Sequence, residues 1–152
     1  MIRIALDSNV LAYLAGVCRV PQDEAKIATT RDLIGRLSGK ASLIAPTQTL
    51  GELFVVLRRG GASAEEARAI LLVFAETFGT AASQAQTTVA AADLVVDHKL
   101  QFWDALILTA SAEAGCSVLL SEDMQHGFVS RGVTIVNPLA DKVHARLQAV
   151  LG

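Results

Sequence analysis

Short apolar runs alternate along the chain with longer stretches in which apolar residues recur three and four positions apart. Ile2 to Leu6 is a strand-like run ending at Asp7, and a brief helix follows over about Asn9 to Ala15. Pro21 suits the first position of a helix in which Ile27, Leu33, Ile34 and Leu37 repeat at helical spacing until Gly39. Ser42 to Ala45 reads as the second strand, stopped by Pro46, and roughly Thr49 to Arg59 as a helix closed by Gly60 and Gly61. Ser63-Ala64-Glu65-Glu66 has the spacing of a capping box, with Ala67, Ile70, Leu71, Phe74 and Phe78 as the stripe behind it. Residues 80–86 read as a weak strand and 87–98 and 102–114 as helices. Ser117 to Leu120 and Val133 to Val136 are two further strands, and Asp141 to Val150 a terminal helix.

Strands and helices alternating at these lengths predict a parallel sheet with helices on both faces. No repeat, low-complexity tract or linker divides the sequence, so residues 1–152 read as one domain. Charged residues make up only 18% against 52% hydrophobic, and mean hydropathy is +0.44. That balance excludes disorder and suggests that part of the surface is covered by a partner or a second copy. Thirteen basic and fifteen acidic residues give a net charge of -2, which is no nucleic-acid footprint over the whole chain. Any polyanion must be held locally. The longest apolar run, Ala69 to Ala75, is far short of a membrane span, and the N-terminus shows no secretory pattern. Cys18 and Cys116 lack metal spacing and read as reduced thiols, which places the expected location in the cytoplasm.

In open parallel sheets, ligands bind beyond the carboxyl ends of the strands, where strand order reverses. Asp7 follows the first strand, Glu52 lies early in the helix after the second, and Asp123 comes three residues past Leu120. Asp104 opens the helix that leads into that strand. Each acid has a structural reading of its own. Asp7 can cap a helix, Thr49 and Glu52 have capping-box spacing, Asp104 suits a helix dipole, and Ser121-Glu122-Asp123 suits a turn. Together they resist that reading, because two carboxylates about 4–5 Å apart repel by roughly 3–4 kcal/mol at an effective dielectric near 20. No Lys or Arg lies within two positions of any of the four. Such a cluster calls for protonation or a cation, and an all-oxygen set favours Mg²⁺ or Mn²⁺ over zinc.

The segments LDSNVL, TLGELF, FWDALILTASAEAG, LLSEDMQHG and VTIVNP, in this order, resemble a PIN domain, and within that family the VapC-type toxins of bacterial toxin–antitoxin pairs. The resemblance runs from about Ile2 to Pro138 and is strongest in the WDALIL and LLSEDM blocks. It implies a three-layer α/β/α sandwich around a mostly parallel sheet and a metal-dependent endoribonuclease. On this resemblance Asp7, Glu52, Asp104 and Asp123 would be catalytic, with Asp7, Asp104 and Asp123 holding the metal and Asn9 and Ser121 beside it. It also implies cleavage leaving 5′-phosphate and 3′-hydroxyl ends, a homodimer, and a cognate antitoxin that silences the toxin.

Arg58, Arg59 and Lys99 are candidate contacts to RNA phosphates; helix C-terminal charge and a solvated surface position are the plainer explanations. Trp103 beside Asp104 has two readings, a platform for a base or a core residue, and His126 is either a helper of the leaving group or an ordinary loop histidine. The apolar helices over 49–59 and 64–78 fit a groove for another chain, or simply this domain's own core. A receiver domain would need paired acids after the first strand and an Asp ending the third, and a haloacid-dehalogenase-type phosphatase a second Asp where Asn9 stands. Two alternatives stay open: a non-catalytic PIN-like binding module, and a PIN nuclease outside any toxin–antitoxin pair.

Overall fold

Strand β1 (Ile2–Leu6) occupies an inner position in a six-stranded sheet, which its last three residues, apolar on both faces, allow. Ile4 and Leu6 enter one hydrophobic cluster and Ala5 enters the other, all three fully buried. A computed structural model describes residues 1–152 and gives the strand order β3-β2-β1-β4-β6-β5. β2 (Ala41–Pro46) and β3 (Gly79–Ala81) extend the sheet on one side of β1, and β4 (Val118–Leu120) and β6 (Val133–Val136) on the other. All these pairings are parallel, whereas β5 (Val129–Ser130) runs antiparallel to β6 at the edge. Ile4 stands opposite Leu43 on one side and Val118 on the other.

Helices cover both faces. On one lie α1 (Ser8–Leu14), α2 (Asp23–Leu37), α3 (Thr47–Arg59), α4 (Ala64–Thr77) and α7 (Ala145–Leu151). α5 (Ala85–His98) and α6 (Phe102–Glu113) pack together over the other. This is the three-layer α/β/α arrangement that the alternating pattern predicts. In α4 the stripe Ala67, Ile70, Leu71, Phe74 and Phe78 faces the core, and Ser63 caps the helix by accepting from the Glu66 amide at 3.1 Å. No helix is long and apolar enough to cross a membrane.

Four local expectations change. α3 begins at Thr47, so Pro46 ends β2 and is also the N-cap of the helix. Thr49 is therefore inside the first turn, where its buried hydroxyl donates to the Pro46 carbonyl at 2.8 Å. The Thr49–Glu52 capping box does not exist, and Glu52 is released from that structural duty. The weak strand over 80–86 shrinks to Gly79–Ala81, and α7 starts only at Ala145, capped by the His144 ring, which accepts from the Arg146 amide at 3.1 Å. β5 is too short to leave a periodic signal.

Candidate active site

The chain leaves β1 for β2 on one side and reaches β4 on the other, so the boundary between β1 and β4 is where strand order reverses. Asp7 sits at that boundary. Its amide donates to the Leu120 carbonyl at 2.9 Å, extending the ladder by one residue, and its side chain caps α1 through the Ser8 amide at 2.7 Å. The other carboxylate oxygen accepts from the Ser121 hydroxyl at 2.7 Å and the Asn9 amide at 3.3 Å. Capping and site chemistry are thus both served by Asp7, which is buried.

Asn9 joins the acids directly. Its Nδ2 also lies 3.3 Å from Asp123 Oδ2, while its Oδ1 accepts from the Glu122 amide at 3.1 Å. The turn after β4 is locked to α1 by these bonds, and Ser121 Oγ accepts from the Met124 amide at 3.2 Å. Asp7 and Asp123 therefore meet around one amide group, and Asn9 and Ser121 both contact Asp7.

Glu52 and Asp104 approach from opposite faces of the sheet, on α3 and in the first turn of α6. Burial pushes the Glu52 carboxyl up to about 7, helped by the charges of Asp7 and Asp104 against a smaller lowering by the Gln48 side chain. Asp104 is raised first by burial and then by the charges of Asp7 and Asp123. Burial also raises Asp7; the Ser121 and Ser8 hydrogen bonds lower it and the Asp123 charge raises it again. The four acids thus share one electrostatic neighbourhood with Asp7 at its centre. They are not drawn into a closed ligating set: no three His, Cys, Asp or Glu side chains stand tightly enough to grip an ion.

The donor chemistry nevertheless fits a hard divalent cation. Every candidate ligand is a carboxylate, and Glu52 Oε1 is buried with no hydrogen-bond partner. No histidine or cysteine competes. His126 instead accepts the Asn137 amide at 2.9 Å, and burial pushes the Cys116 thiol up to about 11.

Three residues that sequence reasoning passed over complete the edge of the site. Glu122 accepts from the Tyr13 hydroxyl at 2.6 Å and pairs with Lys26 at 2.9 Å, with Lys26 5.9 Å from the Tyr13 ring centroid. Tyr13 is raised to about 12, by burial first and then by its bond to Glu122. Lys26 lies on α2, so no local spacing in the sequence announces this pairing.

The proposed phosphate contacts separate. Arg58 turns away and donates to the Ala62 carbonyl at 3.1 Å, and Lys99 caps α5 in a left-handed conformation (φ 56°) on the surface. Arg59 alone of the three lines a cleft of about 560 Å³ that also contains Glu52. Trp103 lines the same cleft and is 56% exposed, so it is no core residue.

A family model for the PIN domain matches residues 4–129. The chain belongs to the PIN family. Solved structures resemble this PIN domain over most of its length. One is a toxin–antitoxin complex from Klebsiella pneumoniae, with TM-score 0.63 and 18% identity, covering 89% of this chain and 97% of the other. VapBC2 from Rickettsia felis, bound to a fragment of promoter DNA, gives TM-score 0.60 and 14% identity, covering 80% and 89%. VapC20 of Mycobacterium tuberculosis, a toxin that cleaves the sarcin–ricin loop, gives 0.59 and 20%, covering 76% and 86%. No curated protein matches this PIN domain significantly.

Proposed function

We propose that this PIN domain is an endoribonuclease dependent on Mg²⁺ or Mn²⁺ and serves as the toxin of a toxin–antitoxin pair. What supports the reading is that Asp7 and Asp123 meet through Asn9 at the reversal of strand order, with Glu52 and Asp104 near enough for the Asp7 charge to raise both. Likeness to a sarcin–ricin loop cleaving toxin supports RNA as substrate, and likeness to toxin–antitoxin complexes supports a protein antitoxin. The homodimer carries over from the same resemblance, and the cytoplasmic location from the two free cysteines, Cys18 and Cys116.

Asp7, Asp104 and Asp123 would hold the cation. When bound, it supplies positive charge against the anionic phosphate oxygens and makes water a better nucleophile. Glu52 takes a proton from the attacking water, a task suited to a carboxyl whose pKa lies near 7. Water oxygen bonds to phosphorus, the bond from phosphorus to the 3′ oxygen breaks, and that oxygen leaves with a proton from solvent. The products carry 5′-phosphate and 3′-hydroxyl ends. Asn9 and Ser121 keep Asp7 and Asp123 in register throughout.

Labelled single-stranded RNA incubated with Mn²⁺, beside EDTA and Asp7→Asn controls, tests the reading. Cleavage that needs metal and disappears in the variant is expected. Calorimetry with Mn²⁺ accompanies it, and absent heat together with absent cleavage would favour a non-catalytic binding module.

A further inference from the structure

Gln48, Glu52, Val55 and Arg59 recur on one face of α3 at spacings of four, three and four, and all four line the cleft that Trp103 closes. Glu52 belongs to the acid cluster at one end. Arg59, seven residues further along the helix, lies about 10 Å away by helical rise. Arg59 takes part in no ion pair, unlike Lys26 and Arg36, so its guanidinium is free to meet an anion. Between the two ends the floor is apolar, formed by Val55 and Val56, and Gln48 contributes a buried amide oxygen with no partner.

Trp103 is the chain's single tryptophan, 56% exposed, and it lines the same cleft as Glu52. The Phe102 ring braces it edge-on, with centroids 5.0 Å apart. The indole is thus supported from within the protein and presents surface to the cleft. An aromatic platform, an apolar floor and an arginine about 10 Å along the helix from Glu52 match the parts of one unpaired nucleotide.

We infer that the cleft between α3 and the start of α6 is a nucleotide subsite, in which Trp103 stacks on an unpaired base next to the cleaved bond and Arg59 holds the neighbouring phosphate. The inference rests on the nuclease reading and adds that the base beside the cut is unstacked from its RNA neighbours. It also predicts that the site takes loops and single strands and rejects regular duplex.

The lone indole is its own reporter. Asp7→Asn protein, which does not consume RNA, is titrated with a single-stranded RNA hexamer and with an abasic hexamer of equal phosphate number while indole emission is followed. Quenching by the RNA and little by the abasic strand is expected. Read by the anisotropy of end-labelled RNA, because the Trp103 variants carry no indole, Trp103→Ala weakens RNA binding by about 5- to 100-fold, Trp103→Phe restores most of it, and Arg59→Ala weakens both strands. In the cleaving protein, Trp103→Ala raises KM more than it lowers kcat. Emission that RNA leaves unchanged overturns the subsite, even if cleavage proceeds, and leaves the cleft as a face for a polypeptide. Quenching by RNA in a protein that never cleaves it would sustain the subsite and remove the nuclease reading instead.

Discussion

Ser121 donates its hydroxyl to Asp7 Oδ2 across 2.7 Å, joining residues 114 positions apart. The Met124 amide points at the same hydroxyl oxygen, so the Ser121 proton is committed to Asp7. Ser121→Ala strands the Met124 amide and removes a bond that favours ionised Asp7. The expected cost is about 1–3 kcal/mol in denaturant unfolding. Asp7 would then hold its proton more tightly, so Mn²⁺ affinity measured by calorimetry near neutral pH should fall as well.

Asp104 makes no hydrogen bond and contributes repulsion to Asp7. Asp104→Asn is therefore expected to stabilise the metal-free protein by roughly 1 kcal/mol, since a like charge disappears without stranding a partner. For a chain of this size that raises Tm by about 2–4 °C. RNA cleavage should fall by at least about 100-fold in the same variant. A variant both less stable and inactive would show that Asp104 is structural.

Glu52 gives the pH dependence a definite sign. Its carboxyl binds a proton more tightly folded, at about 7, than at the ordinary value of 4.5. Its contribution to stability is complete below 4.5 and is lost as pH rises through about 7. In EDTA, the wild type should lose more stability between pH 5 and about 8 than Glu52→Gln does, read by chemical denaturation at each pH. Equal slopes would place Glu52 outside the shared electrostatic neighbourhood.

Glu122 is held by Tyr13 and Lys26 and therefore acts on the site through Asp123, its neighbour in the chain. Tyr13→Phe should cost about 1 kcal/mol in stability. Glu122→Ala frees the turn and should weaken Mn²⁺ binding, while Lys26→Ala has the smaller effect because Tyr13 still holds the carboxylate. Unaltered Mn²⁺ affinity in Glu122→Ala would show that the turn is fixed by Asn9 and Ser121 alone.

The fold was legible where burial leaves no choice. β1 and β6 are apolar but for Arg3 and Thr134 because inner parallel strands face a core on both sides, and their limits agree with the pattern. The start of α3 was not legible, because a threonine with capping spacing sat two residues inside a helix that begins straight after Pro46. Asp7 and Asp123 showed themselves as polar residues just past strand ends. Tyr13, Lys26 and Glu122 did not, because their meeting depends on how α1 and α2 lie against the turn after β4. The exposure of Trp103 was hidden for the same kind of reason: its spacing suits a buried helix face, and only the packing of α6 turns it outward.

The inner position of β1 also dictates when the molecule becomes competent during synthesis. Asp7 is among the first residues made, yet its backbone partner Leu120 and its side-chain partner Ser121 come from the last quarter or so of the chain. A ribosome must therefore translate past residue 123 and release that stretch before the acids can assemble. Chains interrupted earlier keep Asp7 but lack the turn that orders it.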